Sequence, residues 1–95
     1  MERTKKMLWL EVISIRASQG AHGMIKDVIH TLKSDSRIRD AKEVRVFSNA
    51  IGDIAIHIAR ESRQTTCEES SIGLQLAAAL SEYGLINHTI WIAEV

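Results

Sequence analysis

The sequence predicts one α+β domain with the order strand, helix, strand, strand, helix, strand. Three observations lead there: β-rich apolar runs at both ends, an alternating hairpin in the middle, and two stretches with apolar residues at three- and four-residue spacing between them. From Met7 to Ile15 only Glu11 and Ser14 are polar, and Trp9, Val12, Ile13 and Ile15 favour an extended chain, which makes this strand one. Ser18 offers a helix cap, and Met24, Ile25, Val28, Ile29 and Leu32 recur on one face, which predicts a first helix over about Gln19 to Lys33. The polar stretch Ser34 to Lys42 reads as a loop. Val44 and Val46 then alternate with Arg45 and Phe47 as strand two, which ends near Ser48.

Asn49-Ala50-Ile51-Gly52-Asp53 supplies turn residues, and Ile54, Ile56 and Ile58 alternate with Ala55, His57 and Ala59, so strands two and three form a hairpin. Thr65 and Thr66 each precede a glutamate by three residues, Glu68 and Glu69, and Ser70 is a third candidate cap for a second helix. Ile72, Leu76, Ala79, Leu80 and Tyr83 mark its buried stripe, and Gly84 followed by Leu85 suits a left-handed C-terminal cap. Strand four runs from Ile86 to Val95. The domain spans 1–95, with residues 1–6 expected to be flexible.

Ninety-five residues support one core and leave little for a second. Twelve basic and twelve acidic side chains cancel, so no global positive field attracts nucleic acid or an anionic membrane. The single cysteine, Cys67, excludes an internal disulfide and fits a reducing cytoplasm, where it reads as inert. The opening basic residues before an apolar run resemble a signal peptide, but Glu11 and Arg16 interrupt that run and it is too short to span a bilayer. A cytoplasmic protein with no membrane association is expected.

A split βαβ order of this kind builds a ferredoxin-like βαββαβ fold: a four-stranded antiparallel sheet with both helices on one face. The other face is bare. If the strand-three isoleucines meet the helices, Ala55, His57 and Ala59 lie on the open face, joined by Arg45 and Phe47 from strand two and Thr89, Trp91 and Ala93 from strand four. For strand one the same reasoning sends Leu8, Leu10 and Val12 to the helices and Trp9, Glu11, Ile13 and Ile15 to the open side. An aromatic face of this size calls for a cover. Dimerisation through the sheets supplies it, with room for a small apolar or aromatic ligand where Ala55, Ala59, Thr89 and Ala93 leave space.

The stretch Ser71-Ile72-Gly73-Leu74 through Tyr83-Gly84-Leu85-Ile86-Asn87-His88-Thr89-Ile90-Trp91, with this order of elements, resembles small proteins of the dimeric α+β barrel superfamily, in particular antibiotic-biosynthesis-monooxygenase-like domains. The resemblance implies two sheets packed about a two-fold axis and a pocket between helices and sheet or inside the barrel. That superfamily includes cofactor-free oxygenases of aromatic substrates, haem-degrading enzymes, isomerases and domains without assigned chemistry, so the fold alone does not fix a reaction. The haem-degrading branch uses an asparagine on its first strand. Strand one here has none, so haem is not expected, no cofactor is predicted and no catalytic set is carried over.

From the residues, Glu11 and His57 would be neighbours on the open face if strand one pairs with strand three, and a carboxylate orienting an imidazole makes a general base. Lined by Trp9, Ile13, Phe47 and Trp91, such a dyad would suit a cofactor-independent monooxygenase. The plainer reading makes Glu11, His57 and Arg45 a buried polar network that sets dimer register. A third reading leaves Trp9 and Trp91 exposed as a protein interaction surface. His22, His30, His57 and His88 lack metal-site spacing, and no metal is expected. Gly20 and Gly23 before Lys26 read as a tight strand-to-helix turn rather than an anion loop. The charges of Arg37 to Glu43 and Arg60 to Glu69 read as solvated loops.

Overall fold

The computed structural model describes residues 7–36, 41, 43–62 and 69–93. The Thr65 and Thr66 caps, Cys67, the loop charges at 37–40 and residues 1–6 lie outside them. The elements are β1 (Met7–Ala17), α1 (His22–Lys33), β2 (Glu43–Ser48), β3 (Asp53–Ser62), α2 (Ser71–Leu80) and β4 (Gly84–Ile92). They form one antiparallel sheet in the order β2-β3-β1-β4. The predicted order of elements, the ferredoxin-like topology and the hairpin are all present. No helix among the described residues is long and apolar enough to cross a membrane.

One face of the sheet meets both helices. Ile25, Ile29 and Leu32 of α1 and Ile72, Leu76 and Leu80 of α2 pack with Ile54, Ile56 and Ile58 of β3 and with Ile13 and Ile15 of β1. These are the residues that three- and four-residue spacing on the helices and two-residue spacing on the strands bring to a common side. Met24 and Ala79, expected in the buried stripes, are exposed at their rims.

The facing of β1 is the reverse of the expected one. Directly opposed residues share a sheet face, and β1 pairs with β3 so that Ile13 opposes Ile56 and Ile15 opposes Ile54. Trp9, Glu11, Ile13 and Ile15 therefore point to the helices and are buried, while Leu8, Leu10 and Val12 lie on the open face. Both faces of this strand are apolar, so its alternation does not distinguish them. The expectation took the more apolar set of each strand to face the helices.

Local signals account for the connections. The carbonyl and side-chain oxygens of Asn49 accept from the backbone of Gly52 and of Ile51 and Asp53, and Gly52 takes a φ of +90° to close the hairpin. Helix α1 starts at His22, later than predicted, because Gly20 turns the chain at a φ of +81° and no side chain caps the helix. Helix α2 ends at Leu80, earlier than predicted, and Gly84 is not left-handed. Gly84 instead opens β4 against β1, where a β-carbon would collide with the carbonyl of Arg16. Gly84→Ala is expected to destabilise the fold by at least ~1 kcal/mol, read as a lower urea midpoint with an unchanged m-value.

Candidate functional site

A cluster of polar side chains lies under the N-terminus of α2. Its centre is the Glu11 carboxylate, which has no exposed surface. On the helix face, Glu11 lies between Ile58 of β3 and Ile90 of β4, with His88 diagonally across on β4 and Arg60 diagonally across on β3. His88 Nε2 donates to Glu11 Oε2 at 2.6 Å, and Ser70 donates through Oγ to Oε1 at 2.6 Å and through its backbone N–H to Oε2 at 3.1 Å. Arg60 Nη2 approaches Oε1 at 3.5 Å. Four donors on three residues thus surround one carboxylate.

Removing a carboxylate from water costs several kcal/mol unless charge and hydrogen bonds replace the water. The replacement here comes from the Arg60 guanidinium of β3, the His88 ring of β4 and the start of α2, where helix amides favour negative charge. Ser70 has a double task, since its Oγ also accepts from the Gly73 N–H at 2.9 Å as the cap of α2. Gly73 completes the fit. A β-carbon on Gly73 would overlap the Glu11 carboxylate, so only glycine lets the helix come this close. Buried Trp9, two residues from Glu11 on the same face, has an indole N–H with no hydrogen-bond partner among the described residues.

The open face holds a different set. Arg45 and Phe47 of β2, Ala55, His57 and Ala59 of β3, and Thr89 and Trp91 of β4 lie there as predicted, joined by Leu8, Leu10 and Val12. The Phe47 and His57 rings meet at 4.6 Å and 53°. Arg45 is held by Glu43 at 2.6 Å, and Trp91 Nε1 donates to Thr89 Oγ1 at 2.9 Å. Trp91 is 60% and Phe47 44% exposed. Ser14, Phe47 and Ala55 line a shallow depression at one end of this face. Ala93 is exposed just past β4.

The predicted pairing of Glu11 with His57 does not form. His57 stands opposite Val12 on the open face, whereas Glu11 is on the helix face with Ile58. The network of Glu11, His57 and Arg45 is divided by the sheet in the same way. Trp9 and Ile13 are likewise in the core and not on the open face. The histidine that meets Glu11 is His88, which the sequence reading weighed only as a metal ligand. The signal that would have found it is Gly73, a costly residue in a helix otherwise rich in Ala and Leu and a mark of something packed close against the backbone. No group of three His, Cys, Asp or Glu side chains converges among the described residues.

Chemically, the cluster is a fixed set of hydrogen bonds in which the carboxylate holds Nε2 of His88 as the donor. Such an arrangement ties strands to a helix, and it leaves Nδ1 as the nitrogen able to accept a proton. Glu11→Ala leaves His88 and Arg60 facing each other without their counter-charge and is expected to cost about 3–5 kcal/mol in chemical denaturation. Glu11→Gln, which keeps the shape and an acceptor, is expected to cost less.

No family model matches the chain, and no curated protein matches it. Solved structures do. The chain superposes on Rv0793 from Mycobacterium tuberculosis with a TM-score of 0.65 and 11% identity, covering 93% of this chain and 94% of that one. It superposes on a "putative antibiotic biosynthesis monooxygenase" from Nitrosomonas europaea with a TM-score of 0.66 and 8% identity, covering 97% and 93%. Both likenesses run over nearly the whole of each chain. The α+β fold that the stretch from Ser71 to Trp91 resembles is therefore the fold this chain has, and at these identities the likeness is one of fold alone.

Proposed function

We propose that this domain works as a homodimeric α+β barrel, paired through the open faces of two sheets, and serves as a structural or binding module for a small apolar or aromatic molecule. The observation that carries this reading is the open face itself. A sheet exposed to water on one side normally alternates to polar residues there. This one presents Leu8, Leu10, Val12, Phe47, Leu85 and Trp91. From strand length and spacing the face measures roughly 500 Å², so two of them bury about 1,000 Å², the lower bound for a specific interface. The Glu11 cluster, on the helix side, then has a structural task, which its saturated carboxylate supports. A balanced charge speaks against nucleic acid as a partner, and the lone cysteine favours the cytoplasm.

Sedimentation at micromolar concentration is expected to give the mass of a dimer, with Trp91 shielded from iodide quenching. Leu10→Glu, which places a charge at the centre of the face without touching the core, should weaken pairing at least ~100-fold. A monomeric wild type with a freely quenched Trp91 overturns this reading and favours an interaction surface for another protein.

A second reading is favoured by one distance, the 2.6 Å contact that orients His88. With Glu11 fixing Nε2, His88 would act as the base of a cofactor-independent oxygenase or related small-molecule enzyme. Conversion of phenolic compounds by the wild type that disappears in His88→Gln, with the fold retained, supports it; conversion indifferent to that substitution removes it.

A further inference from the structure

We infer that His57 makes the pairing of the sheet faces sensitive to acid, so that the dimer holds at neutral pH and comes apart when this imidazole gains a proton. The inference rests on the pairing proposed above and goes beyond it by naming the group that regulates it.

His57 lies near the middle of the open face on β3, one of the sheet's two central strands, with Val12 opposite it on β1 and Arg45 opposite it on β2. Directly opposed side chains on a sheet stand about 5 Å apart. On its own strand the nearest charged groups on that face are Asp53 and Glu61, each four residues and roughly 13 Å away. Asp53 is engaged by Arg16 of β1 at 3.6 Å. β2 offers Arg45 and, diagonally, Glu43, whose carboxylate Arg45 holds at 2.6 Å. β1 offers Val12, Leu10 and Ser14 nearby and Arg16 farther along. The helices are across the sheet and present nothing to this face. A second copy, related by a two-fold axis, presents the same set.

A protonated His57 therefore faces a guanidinium directly, while the carboxylate closest to it already has a partner. Contact with the Phe47 ring favours a cation only weakly at an exposed site. Burial of an uncompensated charge in an apolar interface costs more than a contact of that kind returns, so Phe47 does not offset it. The neutral imidazole, in contrast, fits among Val12, Phe47, Ala55 and Ala59.

The sign follows from linkage. If the separated protomer binds the proton at His57 and the dimer does not, dissociation takes up protons and acid favours the monomer. A two-fold interface holds two copies of His57, so the dissociation constant rises by up to about two decades per pH unit once the imidazole titrates.

The test is sedimentation of wild type and His57→Gln at constant ionic strength from about pH 7.5 to 5.5, with circular dichroism confirming the fold throughout. His22, His30 and His88 are present in both proteins, so the difference between them reports His57. The wild-type dissociation constant is expected to rise at least ~10-fold over this range and that of His57→Gln less than ~2-fold. His57→Phe, which keeps a ring against Phe47 but has no titratable nitrogen, should stay dimeric at pH 5.5. Equal responses of wild type and both variants overturn the proposal while leaving the dimer intact. A wild type that is monomeric at every pH removes the pairing as well, which separates the two failures.

Discussion

A carboxylate with no exposed surface must be surrounded by donors, and the Glu11 side chain imposes that condition on every element near it. It requires His88 on β4, Arg60 on β3 and Ser70 before α2, and it leaves space at residue 73 for nothing larger than glycine. Through these contacts one charge joins β3 and β4, the two neighbours of β1, to the start of a helix. The burial of apolar surface is a non-directional force, whereas charged hydrogen bonds are directional. The Glu11 cluster thus sets where α2 begins and how closely it lies on the sheet.

The same strand shapes the opposite face. With Trp9, Glu11, Ile13 and Ile15 committed to the helices, Leu8, Leu10 and Val12 are left outward, and the centre of the open face becomes aliphatic where an acid had been expected. Phe47 and Trp91 flank that centre on the outer strands. The outcome is a division of labour across the sheet. Strong ionic contacts are sealed on the helix side, and the open side has an apolar middle whose charged groups pair with one another toward its margins, Arg45 with Glu43 and Arg16 with Asp53. The likeness to two solved structures of the same fold bears on architecture, and the activity must be argued from these side chains.

Much of this was legible in the residues. The alternation of Ile54, Ile56 and Ile58, the Asn49 to Asp53 turn, and the spacing of Ile25, Ile29 and Leu32 each specify a local conformation, because side-chain direction repeats with a period that belongs to that conformation alone. Ser70 was legible only as one of three candidate caps, since unsatisfied amides at a helix start select a hydroxyl and Thr65 and Thr66 offered the same group. The role of Gly84 was not, because a glycine after a helix suits either a left-handed turn or a close strand contact, and only the neighbouring Arg16 carbonyl distinguishes them.

By itself the sequence determined the elements, their order and the existence of a second apolar face, all of which follow from local periodicity and composition. The tertiary structure decided which side of β1 is buried, and with it the partner of Glu11. A strand that is apolar on both sides satisfies the core equally well after a half-turn about its axis, so its own residues contain no preference. The choice was made across the chain, by the register that sets Ile13 against Ile56 and by the donors from His88, Ser70 and Arg60 that make a buried carboxylate tolerable.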